Sequence, residues 1–292
     1  MTGIAGSAGG VASPLPAVTM RNIRALVFDF DGTLYDYALL PLRLIRAWPP
    51  DLPRIWAERK TRRSLAGSDY GSAEAYYGEF FTRMAPLCRC PADAARDWFF
   101  SRYMPRMVRV LKRYYALRPG VRELFRFLDG GDLPEKEAAG RRAPAGIAIY
   151  SDYPCLGERL GALGFSPGPR VRLYGPDSFG AQKPAPGPFR IIAGDLGVSP
   201  AETLVIGDRE DTDGAGALGA GMVFFRLDDG RRRCFRLDPD RKPPGKREAP
   251  PLRSLPMGHG SWRVICDMLK ICFGGPGSGD AAGERPQSAS GG

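Results

Sequence analysis

Five short runs of strand-forming residues recur along the chain: Ala25–Phe30, Gly146–Tyr150, Val171–Tyr174, Thr203–Ile206 and Met222–Phe225. Between the later ones, Leu156–Leu163, Pro188–Leu196 and Ala215–Ala220 carry helical stretches. Strands that alternate with helices require right-handed crossovers, and these build a parallel sheet covered on both faces. The spacing therefore predicts an α/β fold with a three-layer parallel sheet. The first run, "LVFDFDGTLYD", adds a chemical constraint. Leu26, Val27, Phe28 and Phe30 form a continuous apolar strand of the kind buried on both sides, yet the strand closes on Asp29 and Asp31. Asp-Gly is also a common turn pair. Two ionised carboxylates at a buried strand end repel each other unless a cation sits between them.

Other strand ends are polar too. "IAIYSD" places Ser151 and Asp152 just past the second run, and "LVIGDREDTDGAGALGAGM" places Asp208 past the fourth, with Asp213 soon after. "FGAQKPAPGPF" sets Lys183 before a proline and a helix. Each feature is ordinary alone, but together they line one sheet edge, where α/β proteins bind ligands. Arg209, Glu210 and Asp211 are expected at the surface or behind the site.

The interval 36–115 breaks the rhythm. It lacks a clear strand and is crowded with aromatics, among them Trp48, Trp56, Tyr76, Tyr77, Phe80, Phe81, Trp98, Phe99 and Phe100. Helical spacing over Ala73–Met84 and Ala92–Tyr114 predicts an inserted helical domain whose aromatics form its own core. Pro119-Gly120 marks the return to the sheet, with a helix following through Leu128. Residues 129–146 are polar and rich in Gly and Pro, an exposed loop. The expected organisation is a disordered N-terminal extension at 1–19, a catalytic core of 20–35 plus 116–230, and a helical insert at 36–115. A basic loop and closing helix follow at 231–273, then a disordered tail at 274–292. Met20 is a candidate start, residues 1–19 then being an extension.

Composition narrows the chemistry. With one histidine in 292 residues, His259 in a Gly/Pro-rich stretch, the chain supports neither Ser-His-Asp nor Cys-His hydrolysis, nor a multi-His zinc site. Catalysis must run on carboxylates, lysine, hydroxyls and metal. The six cysteines are scattered, which fits reduced thiols in a cytoplasm. Cys88 and Cys90 lack a second pair at zinc spacing. No run approaches the roughly 18 apolar residues of a membrane span, and the N-terminus lacks the layout of a secretory signal; a cytoplasmic location with no membrane partner is expected. The net charge of +10 is concentrated in residues 231–253, with nine Lys/Arg against three acids. That stretch is proline-rich and carries a single aromatic, Phe235. It is expected to be a solvated loop rather than a nucleic-acid platform, although the overall charge favours an anionic substrate. The oligomeric state stays open.

Taken in order, the strand-end features resemble the haloacid dehalogenase superfamily, in the branch that inserts a helical cap after the first core strand. The matching motifs are D-x-D-G-T at Asp29–Thr33, the strand-end Ser151, Lys183-Pro184, and G-D-x-x-x-x-D at Gly207–Asp213. They lie within residues 24–227 and imply a Rossmann-like core. The resemblance implies Mg²⁺ held by the Asp29 carboxylate, the Asp31 backbone carbonyl and Asp208, with Asp213 binding directly or one layer behind. It implies phosphoryl oxygens bound by Ser151, Asp152, Lys183 and the backbone at Gly32 and Thr33. Asp29 can attack phosphorus. Asp31 can protonate the leaving oxygen and then activate water, a task suited by a raised pKa.

Dehalogenases of the superfamily carry no acid where Asp31 stands, so Asp31 favours phosphoryl transfer. Phosphonate-cleaving relatives need a cap lysine, and Lys60 within "ERKTRR" has the setting of a solvated basic face instead. Mutases usually differ where Thr33 stands. The expected activity is a Mg²⁺-dependent phosphomonoesterase acting on a small phosphorylated metabolite. The alternatives are a catalytically silent binding or regulatory protein and a related phosphoryl-transfer enzyme such as a mutase.

Overall fold

The structure, a computed structural model, describes residues 15, 17–130, 142–228 and 257–274. The basic stretch at 231–253, most of the 129–146 loop and nearly all of the predicted C-terminal tail lie outside the described residues. Six parallel strands form one sheet: β1 (Ala25–Asp29), β2 (Gly146–Tyr150), β3 (Val171–Tyr174), β4 (Thr203–Gly207), β5 (Val223–Leu227) and β6 (Met257–Gly260). Their order across the sheet is β3-β2-β1-β4-β5-β6. The chain winds outward from β1 through β2 and β3, then returns to β4 and winds the other way. The C-terminal end of β1 is therefore the switch point where the crossovers part and leave a crevice.

Side-chain alternation builds the layers. Leu26 and Phe28, Ile147 and Ile149, and Leu204 and Ile206 face one cluster. Ala25 and Val27, Ala148 and Tyr150, and Val205 face the other. The first face is covered by helices α7 (Val121–Asp129), α8 (Leu156–Ala162) and α12 (Trp262–Phe273), the second by α9 (Pro176–Phe179), α10 (Pro186–Asp195) and α11 (Ala215–Ala220). This is the predicted three-layer arrangement.

Between β1 and β2 the chain forms helices α2 (Leu40–Ala47), α3 (Leu52–Ser64), α4 (Ala73–Cys88), α5 (Ala92–Asp97) and α6 (Met104–Tyr114). A π-helical turn at Trp98–Tyr103 joins α5 to α6, so the predicted helix over 92–114 is continuous but widened in its middle. The predicted aromatics pack on one another: Phe80, Phe81, Phe99 and Phe100 make edge-to-face contacts at 5.0–5.9 Å, the favoured ring geometry. Trp48 and Trp56 are exposed instead. Exit and return run side by side, because Tyr35 bridges antiparallel to Leu117.

Two differences from the sequence reading stand out. Residues 17–19, placed in a disordered extension, belong to helix α1 (Ala17–Asn22), and Leu15 and Met20 are buried in the main core. Strand β6, "MGHG", lies within the segment expected to be loop. It has no β-branched residue, so propensity gave no signal; parallel pairing with β5 from Phe224↔Met257 to Leu227↔Gly260 makes it a strand. The five cysteines among the described residues are free thiols, and no helix there is long and apolar enough to cross a membrane.

Candidate active site

Asp29 ends β1, and register places its neighbours. Phe28 pairs with Ile206 on β4 and Asp29 with Tyr150 on β2, so Gly207-Asp208 and Ser151-Asp152 flank it. Gly32 allows the loop to fold back. Its φ of +101° lies in the region that favours glycine, and a Cβ there would stand 2.4 Å from Asp208 Oδ2. Arg118 donates to the carbonyls of Thr33 and Gly32 at 2.9 and 2.6 Å, fixing this loop.

Lys183 is buried and donates to Asp29 Oδ1 at 2.7 Å, Asp213 Oδ1 at 2.8 Å and the Tyr150 carbonyl at 3.1 Å. Thr33 Oγ1 donates to the other Asp29 oxygen at 2.9 Å, so its hydroxyl orients the carboxylate. Asp29, Asp208 and Asp213 converge, each offering an oxygen within 4.8 Å of the others. Burial, reinforced by the Asp213 charge, pushes the Asp29 carboxyl up to about 7 despite Lys183. Burial and the charges of Asp29 and Asp213 push Asp208 up to about 8. Asp213 is raised by burial too. Its Oδ2 accepts from the Arg209 amide, whereas Asp208 Oδ1 is buried with no partner. An orphaned carboxylate oxygen beside a cluster richer in carboxylate than in ammonium fits a hard divalent cation. Asp208 is the residue most open to it, with Asp29 and Asp213 both tied to Lys183.

Asp31 stands apart from this cluster, so any part it plays in holding a cation falls to its backbone. Its Oδ1 accepts from the Tyr35 hydroxyl and from Arg159 Nη2, and its Oδ2 from Ser151 Oγ at 3.0 Å. The pKa shift expected there runs the other way. Burial alone would raise the group, but the Arg159 charge and hydrogen bond, with Tyr35 and Ser151, outweigh it and hold the carboxyl below its ordinary value. Arg159 lies on α8, wholly buried, and was absent from the predicted site. The available signal was a charged residue sharing the buried face of α8 with Leu156 and Leu160. Asp152, predicted to bind phosphoryl oxygens, turns its Oδ1 to the Lys183 amide at 3.1 Å, while its carbonyl accepts from Arg62 at 2.6 Å. It braces the lysine loop. Ser151, Gly32, Thr33 and Lys183 do gather at the crevice.

The helical insert also reaches this edge. Arg62 of α3 stacks over the Tyr153 ring at 3.8 Å, and Tyr76 of α4 donates to Gln182, next to Lys183, at 3.0 Å. Backbone bonds join Gly67, Ser68 and Tyr70 to Lys183, Gln182 and Gly180.

Residues 23–221 match the family model for haloacid dehalogenase-like hydrolases. An N-acetylmuramic acid 6-phosphate phosphatase of Pseudomonas aeruginosa is 27% identical over 191 residues, covering 64% of this chain and 74% of that protein. Among solved structures, an L-2-haloacid dehalogenase aligns with a TM-score of 0.51 at 18% identity, over 85% of this chain and 99% of its own. A predicted phosphoglycolate phosphatase from Haemophilus somnus aligns over 70% of this chain and 85% of its own, at 20% identity and a TM-score of 0.44. With the family model spanning more than half its length, this chain belongs to the haloacid dehalogenase-like hydrolases.

Proposed function

We propose that the chain is a Mg²⁺-dependent phosphomonoesterase acting on a small phosphorylated metabolite through an aspartyl-phosphate. The observation that carries this reading is the convergence of Asp29, Asp208 and Asp213, the first and last paired with the Lys183 ammonium and one Asp208 oxygen left without a partner. Such a cluster suits a divalent cation; phosphoryl transfer uses one, whereas displacing halide from carbon does not. The phosphatase relative from Pseudomonas supports the same class of substrate.

Asp29, Asp208, the Asp31 backbone carbonyl and, behind them, Asp213 would hold the ion. When bound, Mg²⁺ supplies charge neutralisation for the phosphoryl oxygens. The chain's own residues do the rest. Lys183 holds Asp29 Oδ1 and offsets negative charge as the carboxylate approaches phosphorus. Asp29 forms a bond to phosphorus as the bond to the leaving oxygen breaks; Asp31, ionised before substrate binds, takes the proton that a monoanionic phosphomonoester carries and passes it to that oxygen. Asp31 then takes a proton from water, which attacks phosphorus, releases inorganic phosphate and restores Asp29. Ser151 and the Gly32–Thr33 backbone orient the phosphoryl oxygens. The helical insert acts as a cap that excludes water and selects the substrate.

Turnover of p-nitrophenyl phosphate, measured with Mg²⁺ and with excess chelator, tests the proposal. Activity is expected with Mg²⁺ and lost with chelator. A folded, Mg²⁺-loaded protein inactive on this and a broad panel of metabolite phosphates overturns it.

A further inference from the structure

We infer that Arg159 is a positioning residue for Asp31 and Ser151, and that the phosphoryl group frees Asp31 by drawing the Ser151 hydroxyl's hydrogen bond to itself. The inference rests on the phosphatase reading above. The guanidinium is completely buried, stacked 4.6 Å from the Phe30 ring centroid, and Nη1 donates to Ser151 Oγ at 2.8 Å while Nη2 donates to Asp31 Oδ1. Its Nε has no acceptor. A buried donor left unpaired is costly, so what the fold gains from this side chain lies in its two Nη contacts. Ser151 Oγ also accepts from the Tyr153 amide at 3.2 Å and donates to Asp31 Oδ2 at 3.0 Å. Arginine, serine and aspartate thus close a ring, and Tyr35 adds a second donor to Asp31 Oδ1.

Proton counting gives the consequence. A serine hydroxyl has one hydrogen and two acceptor lone pairs. Both acceptor positions of Ser151 are filled by Arg159 and Tyr153, and its one hydrogen is spent on Asp31 Oδ2. A phosphoryl oxygen that binds Ser151 must take that hydrogen. Asp31 Oδ2 is then uncovered, while Oδ1 stays held by Arg159 and Tyr35. The carboxylate keeps its orientation, and only when a phosphoryl group is seated does it present one free oxygen, which can take the proton of a monoanionic phosphomonoester and pass it to the leaving oxygen. No bond other than hydrogen bonds changes as Oδ2 is uncovered.

Arg159→Met tests the inference against two leaving groups. An alkyl phosphate such as 2-glycerol phosphate depends on a placed Asp31, whereas p-nitrophenolate leaves with little help. The single-turnover phosphoryl-transfer rate from the alkyl ester should fall about 100-fold. The p-nitrophenolate burst and both KM values should stay within about threefold of wild type. Arg159→Lys should recover part of the loss, and should show the same split by itself if Arg159→Met does not fold. Equal losses on both esters, or a rise in KM with transfer rates unchanged, would overturn the inference by making Arg159 a packing or phosphate-binding residue. Wild-type protein inactive on both esters and on the wider panel of metabolite phosphates would instead overturn the phosphatase reading and take this inference with it.

Discussion

Asp208 and Asp213 both follow β4, but they differ in what their oxygens already hold. Asp213 is tied to Lys183 and to the Arg209 amide, while Asp208 Oδ1 is buried and unpartnered. The metal-free protein therefore keeps protons on this cluster, with Asp29 near 7 and Asp208 near 8 against 3.8 for a free aspartate. The sign follows from linkage. The folded state binds these protons more tightly than the unfolded chain, so their stabilising contribution is full below the unfolded value and is lost as pH rises through 7 to 8. Mg²⁺ competes with the same protons, so its stabilising effect must grow as pH rises. Thermal melts at pH 5.5 and 8.5, with and without Mg²⁺, should show the larger Mg²⁺ shift at pH 8.5. Asp208→Asn should abolish the shift, and an equal shift at both pH values would contradict the assignment. Asp29 and Asp208 were legible because each closes a strand whose apolar pattern is plain, and Asp213 from its spacing after Asp208. The Arg118 brace was not, since it reaches the site from another element, and Arg159 left only the trace of a charge on the apolar face of α8.

At the scale of elements, strands β1 to β5 were legible from short apolar runs, and the layers follow from period-two alternation. Strand β6 and helix α1 were not, because both are fixed by docking onto neighbours rather than by their own composition. The insert is fastened by a buried polar set whose members are scattered in sequence. Glu58 and Arg62 of α3 pair at 2.7 Å, both buried, and Arg62 also donates to the Asp152 carbonyl. Removing one partner leaves a buried unpaired charge, which costs about 3–5 kcal/mol, whereas replacing both with apolar groups can be nearly neutral. Arg62→Met should destabilise by about that much in urea titration, and the Glu58→Met, Arg62→Met double variant should regain most of it. Additive losses would show that the pair is not coupled.

Across the whole molecule, one apolar cluster runs from the sheet into the insert, holding Phe28 and Leu26 of β1 together with Phe80 of α4 and Met107 of α6. The insert and the sheet edge are thus built as one body around Asp29, with Tyr35 and Leu117 paired at the crossing point. In the proposed function, Asp29 receives a phosphoryl group under the insert while Asp31 manages its protons. Rapid mixing of p-nitrophenyl phosphate and Mg²⁺ with Asp31→Asn and Asp29→Asn variants tests that claim most directly. Asp31→Asn should release one equivalent of p-nitrophenolate in a burst and then stall, with phosphate retained on the peptide that contains residue 29. Asp29→Asn should give neither burst nor label. Turnover by Asp29→Asn, or an Asp31→Asn protein that takes up no phosphate, would contradict the account.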